Sequence, residues 1–176
     1  MRVFSPLLLL LLCNSALAAN VQDTFFKHVS SLCGQTLIGA VTKDEPKDPA
    51  WSGQTLSLTF KDCSQSEVAM ELSNGNKKPL LMILRRASDN LQLEHRHQLP
   101  GGGEGNISRF GGRTKTLGTS TAQTFRADAI SQALFIEQQR PQATHNVWTL
   151  RYENNTFTYQ LTRPGRTLVA IFHPAL

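Results

Sequence analysis

The feature that most limits the fold of this chain is a two-residue hydrophobic period that restarts about ten times between short, turn-rich breaks. In TLSLTFKD, Leu56, Leu58 and Phe60 fall on one side and Thr55, Ser57, Thr59 and Lys61 on the other. Successive strand side chains point to opposite faces, so this stretch reads as a strand with one apolar and one wet face. EVAMEL repeats the pattern with Val68, Met70 and Leu72 against Glu67 and Glu71, and the following Ser73-Asn74-Gly75-Asn76 holds an Asn-Gly pair, a strong hairpin signal. QTLIGAV precedes these two, and LLMILRR, NLQLEHRHQ, NISRF, TSTAQTF, NVWTLRYE, TFTYQLTR and TLVAIF follow. The breaks are short: Ser88-Asp89-Asn90, Pro100 through Gly105, Gly111-Gly112, Asn154-Asn155 and Pro164-Gly165. Sequential strands with tight turns favour an antiparallel meander, and a long meander closes to remove its edges. The expected fold is therefore all-β, an antiparallel up-and-down barrel of lipocalin-like type with about ten strands, formed as a single domain over residues 20–176.

Two segments break the period. From Val21 to Leu32, Phe25, Val29 and Leu32 fall at helical spacing, with Asp23 as a cap and Cys33-Gly34 as the stop. DAISQALFIEQQRP predicts a second short helix near 128–139, capped by Asp128, carrying Ile130, Ala133 and Leu134 and ended by Pro141. It reads either as a plug over one mouth of the barrel or as a loop helix outside it.

Residues 1–19 have the make-up of an export signal: Arg2, a leucine run from Leu7 to Leu12, then Ala16-Leu17-Ala18. The apolar run ends well short of the roughly 20 residues that a membrane-spanning helix needs, so cleavage is expected near Ala18 or Ala19 and the destination is the periplasm or the exterior. Lipid attachment at Cys13 is disfavoured by Leu12 directly before it. Cleavage leaves two cysteines, Cys33 and Cys63. In an oxidising compartment a bridge between them is expected to stabilise by roughly 3–4 kcal/mol; two buried thiols are the alternative. The formal net charge of +5 falls by one with Arg2, and the remaining arginines are scattered. Nucleic-acid binding has little support in an exported chain with few aromatics and no dense basic block.

The strand LQLEHRHQL carries the sharpest functional signal. Leu91, Leu93, His95 and His97 share one face, while Gln92, Glu94, Arg96 and Gln98 share the other, which must be the wet one. Both histidines are thus expected to point inward. Side chains at this spacing start roughly 6.7 Å apart, which permits convergence on one metal ion. A metal also needs a third ligand, for which His145, His173, Asp62 and Glu104 are candidates by residue type only. The glutamate spacing of a cupin motif is missing. Hydrogen-bonded lining, a polar handle for a small molecule, and metal or haem ligation are the three readings of His95 and His97. Arg109, two residues beyond Ile107, is expected inside or on the outer surface with equal justification. Trp148 and Tyr152 on one strand face Phe157, Tyr159 and Leu161 on the next, as cavity lining or as cross-strand packing. The glycines at 101–103 and 105 match no phosphate or dinucleotide loop and read as a hairpin tip, and no nucleophile elbow is present.

LQLEHRHQLPGGGEGNISRFGGRT, then GTSTAQTFRAD, then NVWTLRYENNTFTYQLTRPGR, in that order, resemble a family of small secreted bacterial proteins of unassigned activity. The likeness covers the C-terminal half to two thirds of the chain. It includes the histidine strand, the Gly-Gly pair, a turn at Phe125-Arg126-Ala127-Asp128 and the Asn-Val-Trp strand, and departs at Arg126, where a proline would follow Phe125. The resemblance implies a lipocalin-like, or calycin-like, barrel and no activity.

The leading functional expectation is an exported binding module, more a container than an enzyme. Its interior pocket uses His95, His97, Arg109, Trp148 and Tyr159 on a small amphipathic or anionic ligand. One alternative is metal- or haem-dependent chemistry at the same histidines. The other is a periplasmic inhibitor of a hydrolase acting through the loop TKDEPKDPAWSGQ. Cofactor and oligomeric state are not specified by the residues.

Overall fold

The computed structural model describes residues 21–75, 79–99 and 101–175. The expected export signal with its Ala18 or Ala19 cleavage point, Cys13, and Asn76 and Pro100 of the expected turns lie outside the described residues. Ten strands form one closed barrel: β1 (Thr36–Glu45), β2 (Thr55–Cys63), β3 (Glu67–Ser73), β4 (Leu80–Arg86), β5 (Leu91–His97), β6 (Phe110–Thr114), β7 (Ala122–Ala127), β8 (Val147–Glu153), β9 (Thr156–Arg163) and β10 (Arg166–Pro174). Each strand pairs antiparallel with its neighbours in sequence, and β10 returns to pair with β1 from Leu37↔Pro174 to Glu45↔Thr167. Among the described residues every strand is paired on both sides, which is what the expected meander needed to achieve. The alternation sorts side chains as read: Leu56, Leu58 and Phe60 of β2, Met70 and Leu72 of β3, and Met82 and Leu84 of β4 are buried in one cluster inside the barrel.

Helix α1 occupies residues 21–30 and ends in a turn through Gly34, whose φ of 81° is left-handed and suits glycine. Asp23 lies inside this helix and does not cap it; its carboxylate pairs with Arg86 at 2.8 Å. Gln22 donates to the Thr114 hydroxyl at 3.0 Å, and the His28 ring meets the Ser120 carbonyl at 3.1 Å. These ties place α1 across the barrel end where β4 and β6 finish and β5 and β7 begin. Phe25, Val29 and Leu32 enter the common core there. Cys33, just beyond α1, is bridged to Cys63 at the end of β2, with Cα atoms 6.2 Å apart.

Helix α2 (Ala129–Glu137) sits at the opposite end, capped as expected by Asp128, whose side chain accepts from the Ser131 N–H at 2.9 Å. Its inward face differs from the expected one. Ser131 and Phe135 are buried, whereas Ile130 is 78% exposed. The cause is polar: the Ser131 hydroxyl accepts from the Gly111 N–H at 2.7 Å and donates to the Gly111 carbonyl at 3.0 Å, and this clamp sets the helix rotation. Pro141 opens a 3-10 turn, Pro141–His145, that continues over the same end.

Strand β6 is displaced from the expected NISRF to FGGRT. Arg109 has φ 60°, a left-handed backbone that interrupts any strand running through it. The two glycines read as a turn are the middle of β6, because the neighbouring backbones close in on both sides: a Cβ at Gly111 would lie 1.8 Å from the Leu93 carbonyl oxygen, and one at Gly112 1.7 Å from that of Arg126. Phe125-Arg126-Ala127 likewise belongs to β7, with only Asp128 leaving the strand as the cap of α2.

Candidate functional site

A cavity of about 420 Å³ opens at the α2 end of the barrel. That volume lies within the range of roughly 300–1,000 Å³ that holds small organic ligands. Its walls are apolar side chains from the strands, among them Leu56, Leu72, Leu80 and Leu168. Ala170 contributes little bulk, and Phe135 reaches in from α2.

His95 stands in this wall, fully buried. Strand parity puts it there, with Leu91 and Leu93 beneath it on the same face. Its ring lies flat on Phe110 (centroids 5.1 Å, planes 10° apart), against Trp148 at 4.9 Å and edge-on to Tyr159 at 5.9 Å. Nδ1 is 3.3 Å from the Phe110 carbonyl oxygen and Nε2 is 3.2 Å from the Tyr159 hydroxyl. A carbonyl can only accept, so the neutral ring carries its proton on Nδ1 and Nε2 accepts from the phenol. Burial pushes the His95 pKa down to about 3, and burial also pushes the Tyr159 hydroxyl up. The pair is therefore neutral and hydrogen-bonded within itself. The Tyr159 oxygen is also hydrogen-bonded by the Trp148 side chain, whose indole N–H can only donate, so the phenol is engaged both as donor to His95 and as acceptor from Trp148.

His97 follows the same parity but stands at the lip, where β5 runs out and solvent reaches it. Partial burial, and then the cation of Arg140, lower its pKa. Trp148 and Tyr159 line the cavity, one of the two placements left open for the aromatics of their strands. Arg109 does not. It is exposed and its Nε pairs with Glu104 at 2.8 Å, because the left-handed turn at Arg109 breaks the alternation by which an inward position was counted from Ile107. The third ligand required by the metal reading is also not brought in: no group of three His, Cys, Asp or Glu side chains suited to a metal occurs among the described residues, and both nitrogens of His95 are engaged.

Sequence reading missed the lip. Arg140, Arg163 and Arg166 all border the cavity. Arg166 is tied to Asp44 and to the Pro46 carbonyl. Burial acts to raise the pKa of Asp44, but hydrogen bonds from the Asp48 N–H, the Ser52 hydroxyl and Arg166 outweigh it and hold the carboxyl below its ordinary value. This knot folds the loop between β1 and β2 inward, so that Asp48 and Trp51 border the cavity. Within the segment expected as an inhibitory loop, Asp44, Asp48 and Trp51 turn toward the barrel mouth, while most of its other residues are exposed. Arg163 donates to Asn146 at 2.9 Å. Burial, reinforced by the like charges of Arg166 and Arg140, pushes its pKa below the usual arginine value. The available signal was parity on β9, where Tyr159, Leu161 and Arg163 share a face.

No helix among the described residues is long and apolar enough to cross a membrane. No family model and no curated protein matches the chain, so the resemblance to small secreted bacterial proteins rests on the residues that suggested it. Among solved structures the chain is similar to a redesigned β-barrel, mFAP1, bound to DFHBI, at 12% identity and a TM-score of 0.38 over 83% of this chain and 98% of that one. A likeness that distant carries no argument about ligand or activity, and the barrel stands on its own closed strand pairing.

Proposed function

We propose that this protein is an exported container for a small molecule held in the open half of the barrel, without catalysis of its own. The observation that carries the reading is the cavity: about 420 Å³ of space behind a largely apolar wall that includes the His95 and Tyr159 side chains, with a polar lip. An apolar pocket with a few placed polar groups is the general form of a small-molecule site. The neutral, mutually satisfied His95–Tyr159 pair supports binding over chemistry, since neither group is poised as base or nucleophile near neutral pH. Export is supported by the leucine-rich opening segment, by the Cys33–Cys63 bridge and by the resemblance to secreted barrels.

The test is uptake of uncharged apolar probes by the full chain, followed by calorimetry, and native mass spectrometry of protein purified from its exported fraction. Ala170→Phe, which projects a ring into the cavity, is expected to abolish uptake while the far-ultraviolet circular dichroism stays unchanged. Failure of the unsubstituted chain to take up any apolar probe would overturn the proposal.

A further inference from the structure

The lip of the cavity holds more positive charge than it neutralises. Arg166 is matched by Asp44, and Asp48 is the carboxylate that borders the opening, its Oδ1 accepting from the Ala50 N–H. Arg140 and Arg163 face these from the α2 and β9 side. Arg163 has one neutral partner, Asn146, and Arg140 makes no ion pair among the described residues. His97, beside Arg140, brings a third polar group to the same stretch of lip. Two guanidinium groups of like charge at the rim of an apolar hole repel, and an anion placed between them relieves that repulsion.

We infer that Arg140 and Arg163 form the headgroup site for a singly charged carboxylate amphiphile, which enters tail-first and leaves its carboxylate at the lip. This deepens the container reading above and rests on it. Guanidinium groups match a carboxylate in charge and planarity and give it charge-assisted hydrogen bonds; Arg163 is half-buried and Arg140 is exposed at the rim. With Arg166 neutralised and Asp48 close to the opening, the local excess suits one negative charge better than two. At roughly 30 Å³ per non-hydrogen atom, a water's share of liquid volume, the 420 Å³ cavity matches a tail on the order of fourteen atoms, the scale of a medium-chain acid. The lining below the arginines, Leu161, Leu168 and Ala170, is apolar, as a tail requires.

Calorimetry on the full chain at low ionic strength, below the micelle concentration, separates this inference from its parent. Decanoate is expected to bind about tenfold more tightly than decanol, to lose that advantage as salt is raised, and to outcompete decyltrimethylammonium. Arg140→Gln is expected to lower decanoate affinity to the decanol level without changing decanol binding, and Arg140→Lys to keep part of the preference. Equal binding of acid and alcohol, or an Arg140→Gln variant that still prefers the acid, overturns the headgroup assignment and leaves the container standing. Absence of binding by decanoate and decanol alike removes both.

Discussion

The two ends of this barrel are each crossed by a short helix, and the two helices do opposite things. At one end α1 delivers Phe25, Val29 and Leu32 to a region already filled by Phe60 and Phe157 in edge-to-face contact at 5.4 Å, and the interior there is solid. At the other end α2 contributes one ring, Phe135, over strands that present Ala170 and the polar pair His95 and Tyr159, and about 420 Å³ stays open. The same closed sheet encloses both halves, so topology does not decide which is core and which is container. What decides it is the volume that each helix and the strand positions beneath it push inward.

The largest effect should therefore separate the two aromatic plugs. Phe25→Ala removes a fully buried ring from the solid end and is expected to cost about 3–5 kcal/mol in urea unfolding. Phe135→Ala enlarges a space that already connects to solvent, so water can enter without leaving a new void, and about half that loss or less is expected. Its larger effect should be on uptake of an apolar probe. Equal losses for the two variants would break the contrast between the ends.

The container end also carries a proton signature. The unfolded chain protonates His95 near pH 6.5, while the native ring resists protonation until about pH 3. Below pH 6.5 the unfolded state binds more protons, and stability should fall as pH falls, by about 1.4 kcal/mol per unit for this one group. His97, also lowered, acts in the same direction with a smaller share, which a His97→Gln control removes. Asp44 is lowered from 3.8, so its loss begins only in the carboxylate range, and the interval from pH 6.5 to 4.5 belongs to the histidines. Over those two units a drop of roughly 2–3 kcal/mol is expected, with a His95 ring resonance that does not titrate in the folded protein. A flat stability curve across that interval would mean that His95 is not held neutral by burial.

The same contrast shows what the sequence could and could not reveal. The solid end was legible, because alternation on β2, β3 and β4 and the helical spacing of Phe25, Val29 and Leu32 are local patterns that burial enforces. Inward placement of His95 followed from the same parity rule, and cavity lining was one of the two placements left open for Trp148 and Tyr159. The lip was not legible. Arg163 and Arg166 pair locally across the β9–β10 turn, but Arg140 comes from the turn after α2, and the β1–β2 loop that completes the lip joins them only across the β10–β1 seam. Arg109 was misplaced because a left-handed residue ends the count of alternation, and residue types alone do not announce such a residue outside glycine. The Gly111-Gly112 pair reads as a turn locally and is a strand for a nonlocal reason, the pressure of β5 and β7 on either side.

Smaller effects sharpen the contrast further. Tyr159→Phe keeps the ring and removes the donor on which His95 Nε2 depends, leaving a buried acceptor unpaired unless water enters from the cavity. A cost of about 1–3 kcal/mol is expected for the dry case, and a value near zero would show that water reaches the wall beside His95.

The smallest difference is between neighbours on α2. Ile130 is 78% exposed, so Ile130→Gln is expected to change unfolding free energy by no more than about 0.5 kcal/mol and to leave probe uptake unaltered. Ser131→Ala removes a far smaller side chain and should cost more, about 1–3 kcal/mol, because the Gly111 N–H then has no acceptor while buried. The Gly111 carbonyl keeps the Asp128 N–H at 3.0 Å, so the loss falls on one group. With the clamp gone, the rotation that turns Phe135 inward is no longer set, and Ser131→Ala should weaken uptake of an apolar probe in step with its loss of stability. If Ile130→Gln were the more damaging change, the outer face of α2 would be the packed one, and the helix would not be a lid on this cavity.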